Sequence, residues 1–367
     1  MKKVLGIIVL APLERRVPLE KRLSFLTWLR LSFLTGLVAI AIVFTAIGCK
    51  QKEKGKDKLR IAVIPKGTTH VFWKSIHAGA VKAQQELKAA GVEVEVIWKG
   101  PLKEDDRESQ IRVMEDFITQ GVSGIVLAPL DDTALRAPVR NAVNSGIPVV
   151  IIDSGLKSED YVTFVATDNY VGGRKGGEHL AKVLGGKGKV IMLRYQVGSA
   201  STMEREQGFL DVLKEKYPGI EVVSANQHGG ATTESAYRAS ENLLASLRAP
   251  NEALTIDGIF CPNESTAFGM LRALQDSGLA GKVKYVGFDS SDRLVQALQN
   301  GEIHGLVLQD PINMGYLGVK NMVAYLRGEK VPKKPIDTGS VVATPENMNE
   351  PNIKNLLEPD YKKWLNE

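Results

Sequence analysis

The chain is poor in cysteine and histidine. Only two cysteines, Cys49 and Cys261, occur in 367 residues, which excludes a disulfide framework and any metal site built on thiolates. The five histidines, His70, His77, His179, His228 and His304, include no pair at i, i+4 and none beside a cysteine; nothing in their spacing points to a metal. Hydrolase and nucleotide signatures are missing as well: there is no His-Glu-x-x-His, no Gly-x-Ser-x-Gly and no Gly-x-x-x-x-Gly-Lys-Ser/Thr. No cofactor motif stands in their place, since Gly185–Gly188 reads as a turn at a helix end and Asp168–Gly173 as a capped helix start without dinucleotide spacing. An excess of one charge is also lacking. The formal charge is +5, but seven Lys/Arg and only two Glu precede Cys49, so 40 basic and 40 acidic side chains remain from there on. A balanced chain offers nucleic acid no electrostatic footprint.

What is present begins with an export signal. Lys21, Arg22 and Arg30 precede a mostly apolar run from Leu31 to Ile47, ending in Ala46-Ile-Gly-Cys49. Basic residues, an apolar stretch and small residues before a cleavage point form the order of a signal peptide, and the small residues before Cys49 resemble a bacterial lipoprotein processing site. Residues 1–48 are expected to be removed and Cys49 lipidated, in preference to an uncleaved anchor, because the run sits at the short limit for a spanning helix. Residues 49–58, with five lysines and no apolar side chain, read as a solvated tether. Cys261, left without a partner, reads as a small buried hydrophobe at a strand end.

From residue 59 onward, short β-branched runs alternate with helical patterns. Ten runs fit strands, from Leu59–Pro65 to His304–Gln309, and between most of them apolar residues recur every three or four positions, as in Ser75–Ala89 and Thr202–Lys216. Strict alternation predicts an α/β fold with parallel sheets covered by helices on both faces, and ten strands in about 290 residues divide more easily between two sheets than they fit into one. Ligands of such sheets bind at the carboxyl ends of the strands. The residues there are Lys66, Asp153, Asn263, Asp289 and Gln309, with Arg205 on a helix after the strand ending at Arg194. Carboxylates, amides and a guanidinium together meet the alternating donor and acceptor demands of vicinal hydroxyls.

Each candidate has a plainer reading. Asp153 and Asp289 end strands and are equally readable as helix caps, or as a catalytic carboxylate pair if they flank one bond. Phe72, Ile76, Ala80, Ala83 and Leu87 are in phase along one helix face, so core packing explains Phe72. Trp73 is one residue out of phase and is expected to face the cleft, where a ring covers the apolar face of a sugar.

In this order, the signal, the two-lobe pattern and the strand-end residues resemble the type I periplasmic binding proteins of ABC sugar importers, the ribose-binding group above all, over about residues 59–345. The motifs are Lys66–Trp73, Pro148–Asp153, Thr167–Gly173, Met203–Phe209, Asn263–Ala267, Val286–Asp289 and Gln309–Pro311. The resemblance implies two doubly wound lobes joined by a three-stranded hinge. It places the N-terminal lobe at 59–167 plus 310–338, the C-terminal lobe at 168–309 plus 339–347 and a tail at 348–367, with crossings near Thr167, Gln309 and Thr338. It further implies that Phe72 and Trp73 sandwich a sugar ring, that His70 makes a polar contact, and that Asp153, Arg205, Asn263, Asp289 and Gln309 bind hydroxyls.

Three positions depart from the ribose binders. Ser154, counted by its position with the ligand-binding residues, replaces an arginine and so loses a fork of donors, Gly230 replaces an aromatic, and Lys66, also counted with them, replaces a small polar residue and brings a positive charge near Asp153. The expectation is a lipid-anchored, monomeric receptor that carries a monosaccharide or polyol to an ABC permease. A sensor feeding a chemoreceptor or kinase and a sugar hydrolase are the alternatives. A sugar-responsive repressor is excluded, because a signal peptide stands where a helix-turn-helix head belongs.

Overall fold

The computed structural model describes residues 58–249 and 254–365. The signal segment, Cys49 and nearly all of the tether lie outside the described residues.

Two six-stranded sheets organise the chain. The first contains β1 (Leu59–Ile64), β2 (Val94–Trp98), β3 (Gly124–Leu127), β4 (Val149–Ile152), β5 (Phe164–Ala166) and β11 (Ile336–Asp337), in the order β11-β5-β4-β3-β1-β2. The second contains β6 (Gly188–Met192), β7 (Ile220–Ser224), β8 (Gly258–Phe260), β9 (Lys284–Phe288), β10 (Gly305–Leu308) and β12 (Val341–Ala343), in the order β12-β10-β9-β8-β6-β7. All pairings are parallel except that of β10 with β12. Parallel strands buried on both faces need unbroken apolar runs, and β3, β4 and β10 are buried along their whole length. Strand order reverses at β1/β3 in one sheet and β6/β8 in the other, the crevice where such sheets bind ligands.

The chain crosses between the sheets after β5, after β10 and after β11. Hydrogen bonds tie two of these strands together: Thr167 Oγ1 donates to Gly339 O at 3.1 Å and the Asp168 amide to Asp337 Oδ1 at 2.9 Å.

Local chemistry starts the helices that aim at the crevice. Helix α1 (Val71–Ala89) is capped by the His70 ring, whose Nδ1 accepts the Phe72 amide. Asp168 caps α4 (Asn169–Val183), and Asn263 caps α7 (Glu264–Asp276). Between β1 and the crossing, α2 (Arg107–Thr119) and α3 (Arg136–Asn144) cover one face of the first sheet. In the second half, α5 (Ala200–Lys216), α6 (Thr233–Ser246) and α8 (Asp292–Gln299) intervene before α9 (Pro311–Leu326) returns to pack on α1. Cys261 is buried and unpaired, its thiol pushed up to about 12 by burial.

Two short helices, α10 (Pro351–Leu357) and α11 (Lys362–Leu365), lie in the tail. Ile353 and Leu357 are buried in the second lobe's core, and Ser290 Oγ donates to Leu356 O at 3.2 Å. Beyond them, the rings of Tyr361 and Trp364 lie beside Lys74 and Lys82 of α1, in the first lobe.

Candidate ligand-binding cleft

The carboxyl ends of both sheets converge on one narrow cleft lined by residues of both lobes. Nine of the ten sequence-identified residues line it: Lys66, His70, Phe72, Trp73, Asp153, Arg205, Asn263, Asp289 and Gln309.

Asp153 follows β4 and Asp289 follows β9, and both are held in the left-handed region, at φ 62° and 67°. Aspartate tolerates this conformation better than most residues. Neither caps a helix that follows it: no helix follows Asp153 before β5, and α8 is entered through Ser291. Instead, each carboxylate has its own cation. Lys66 Nζ lies 3.0 Å from Asp153 Oδ2, and Arg205 Nη1 lies 3.8 Å from Asp289 Oδ2. These side chains are almost wholly buried, so each charge depends on its partner to remain in the protein interior. Asp289 is further held by the Glu264 amide at 3.2 Å and by Gln309 Nε2 at 2.6 Å. Burial nevertheless raises its pKa, with Arg205 and Gln309 opposing the rise.

Arg205 is fixed within its own lobe. Nε donates to Asn169 Oδ1 at 2.8 Å and Nη1 to Pro262 O at 3.0 Å, and the guanidinium lies 3.9 Å from the Phe288 ring centre. Lys66 behaves differently, reaching across the cleft to Ser199 Oγ at 3.4 Å and Ser201 Oγ at 3.2 Å. A second link between the lobes joins His70 Nε2 to Glu264. Burial works against a charged ring, but Glu264 overrides it and raises His70 to about 9. Nδ1 can accept the Phe72 amide only in the neutral ring, so charging His70 strengthens the link at the expense of the α1 cap.

Three expectations need correction. Ser154 is fully buried but does not line the cleft; its Oγ accepts the Ser201 amide at 3.1 Å and so works in lobe contact. Helical phase did not separate the rings: Trp73 lines the cleft as expected but is also 2% exposed and part of the first lobe's core, while Phe72, expected in that core, is only half-buried against it and lines the cleft too. The two rings meet edge-on, 5.0 Å apart at 89°, and therefore form one wall with no space for a sugar between them.

Six lining residues were not identified from sequence: Glu104, Tyr195, Ser199, Ser201, Thr202 and Glu264. Glu104 sits in the loop after β2 and accepts from Trp73 Nε1 at 2.8 Å and from the Tyr195 hydroxyl at 2.7 Å. Extending the strand-end rule to β2 and to the loop after β6 would have found it and Tyr195. Gly230, with φ 79°, donates its amide to Tyr195 O at 3.0 Å. Gly198, with φ 95°, crosses the seam: its carbonyl accepts the Asp132 amide at 2.9 Å, and a Cβ there would lie 2.3 Å from Asp131 Oδ2.

Two switch-point sheets, three crossings and a polar cleft between them define a two-lobed ligand-binding protein. The profile of the periplasmic binding protein domain matches residues 61–330. The chain belongs to the periplasmic binding protein family, in its type I sugar-binding branch. The D-allose-binding periplasmic protein of Escherichia coli is 31% identical over 78% of this chain and 91% of its own length. A carbohydrate-transporter solute-binding protein of Agrobacterium radiobacter, solved with D-arabinose, is 34% identical with a TM-score of 0.75, covering 82% of this chain and 99% of that one. A solute-binding protein of Agrobacterium vitis with bound D-fucose has the same identity and TM-score, covering 82% and 100%. Its homologues are transport proteins and not enzymes, which sets aside the hydrolase reading of Asp153 and Asp289. Family membership places the protein outside the cytoplasm.

Proposed function

We propose that this protein captures a monosaccharide or polyol in the cleft and delivers it to the permease of an ABC importer, held at the membrane by a lipid on Cys49. The observation that carries this reading is the arrival of Asp153 and Asp289, from opposite lobes, at one cavity walled by Phe72 and Trp73. A ring with an apolar face and a polar edge fits such a wall and such a rim.

Two further features support it. Asp153 Oδ2, although beside Lys66, and Gln309 Oε1 are buried acceptors with no aligned hydrogen bond among the described residues; hydroxyl donors satisfy both. The seam closes through polar contacts, so a ligand that touches both lobes stabilises the closed form by its differential affinity for it. Nearness to the ribose import binding protein of Haemophilus influenzae favours transport over sensing.

The test is a thermal-shift and calorimetric screen of D-allose, D-ribose, D-arabinose, D-fucose, xylitol and myo-inositol. At least one raises the melting temperature by mass action, and Trp73→Ala weakens its binding at least about tenfold through lost ring contact. The reading is lost if no sugar or polyol binds while a ligand of another class does so with Trp73→Ala unaffected.

A further inference from the structure

The four carboxylates lining the cleft are of two kinds. Asp153, Asp289 and Glu264 each stand against a basic group of the same cleft: Lys66, Arg205 and His70. Glu104 does not. Its two oxygens are met by the Trp73 N–H and the Tyr195 O–H, which carry no charge. Burial and the nearby carboxylate hold the Tyr195 hydroxyl well above its ordinary pKa, so it remains a neutral donor. Its ring is 1% exposed, which fixes where that donor points. His70 feels the Glu104 charge, but its Nε2 is engaged by Glu264.

We propose that Glu104 sets the charge class of the ligand, giving the cleft an uncompensated negative charge that accepts hydroxyl or ammonium donors and excludes anionic sugars. This rests on the sugar-binding reading above and narrows it. Each carboxylate oxygen can accept two hydrogen bonds, and Glu104 uses one on each, so acceptor capacity remains for a ligand hydroxyl. A ligand carboxylate or phosphate in the same space has no donor to offer and meets a like charge in a partly desolvated cleft. Neither Lys66 nor Arg205 is free to compensate, because separating either from its aspartate leaves a buried charge alone. Neutral sugars and polyols are therefore accepted, amino sugars are tolerated or favoured, and uronates, aldonates and sugar phosphates are rejected.

The experiment is isothermal titration of matched pairs: D-galactose with D-galacturonate, D-glucose with D-glucuronate and D-glucosamine, and D-arabinose with D-arabinonate. Wild-type protein binds the neutral member of any responding pair at least about tenfold more tightly than the acid. In Glu104→Gln, which keeps the size and one acceptor, that ratio narrows at least about threefold, and any preference for glucosamine over glucose falls with it. An acid bound as tightly as its neutral partner overturns the proposal, as does an unchanged ratio in a Glu104→Gln protein that melts normally. If that variant does not fold, the wild-type ratio decides alone. Absence of binding by every neutral sugar in the panel overturns the proposal together with the sugar reading beneath it, whereas binding without charge discrimination overturns this inference only.

Discussion

The two lobes repeat one plan with different hardware. In each, an aspartate with positive φ ends the strand beside the switch-point strand, Asp153 after β4 and Asp289 after β9. In each, two helices cross so closely that glycines face backbone: Gly79 and Gly315 where α1 meets α9, and Gly173 and Gly208 where α4 meets α5. The difference lies in the cation. Arg205 is locked by Asn169, Pro262 and Phe288 of its own lobe, whereas Lys66 takes its remaining contacts from Ser199 and Ser201 opposite. The second lobe thus presents a finished half-site, and the first completes its half only when the seam is shut. Arginine suits the first duty, having a rigid fork and a face that stacks, and lysine the second, being a mobile point charge.

Breaking the finished half should have the largest effect. Arg205→Ala leaves Asp289 buried without its cation and is expected to cost about 3–5 kcal/mol of stability, seen by urea titration, with sugar binding lost. Lys66→Met, in the adaptable half, should lower sugar affinity more than it lowers stability; equal losses of stability in the two variants would erase the distinction between the lobes. Gly198→Ala should come next. Its methyl group meets Asp131 only with the seam shut, so affinity should fall about tenfold, with roughly 1 kcal/mol lost to backbone strain. Small-angle scattering with ligand would then report a larger radius than wild type, and an unchanged one would remove Gly198 from the seam.

The smallest effect is expected from pH. The folded pKa of His70, about 9, lies above its ordinary value of 6.5, so its link to Glu264 contributes fully below 6.5 and fades as pH rises through about 9. Ligand affinity should drop modestly over that upper range, and His70→Gln should flatten the profile. A decline of equal size in His70→Gln would assign the effect to another group.

How far the sequence reveals this site depends on where each residue sits. Alternating runs and helical patterns were enough for two α/β lobes, because parallel strands must be continuously apolar and their helices must be striped. The strand-end rule led to Lys66, Asp153, Asp289 and Gln309, since it reports topology and topology aims those side chains. Phase could not separate Phe72 from Trp73, which both line the cleft, because the first turn of α1 packs on loops as well as on its sheet: the Trp73 N–H is taken by Glu104 from the loop after β2. Glu104 itself belongs to no periodic segment, and its role depends on a tyrosine 91 positions away. Ser154 misled for another reason: it was placed by the long arginine it replaces, and its short side chain reaches only the Ser201 amide at the lobe contact.

The tail carries a practical consequence. Of the chain's four tryptophans, Trp73 lines the cleft and Trp364 lies against α1, on a segment rooted in the core of the opposite lobe. One indole is placed to register occupancy and the other the spacing of the halves. Intrinsic emission can therefore follow the working cycle without any attached dye, and a background lacking both Trp73 and Trp98, which stacks on His77, would separate the distant signal from the local one.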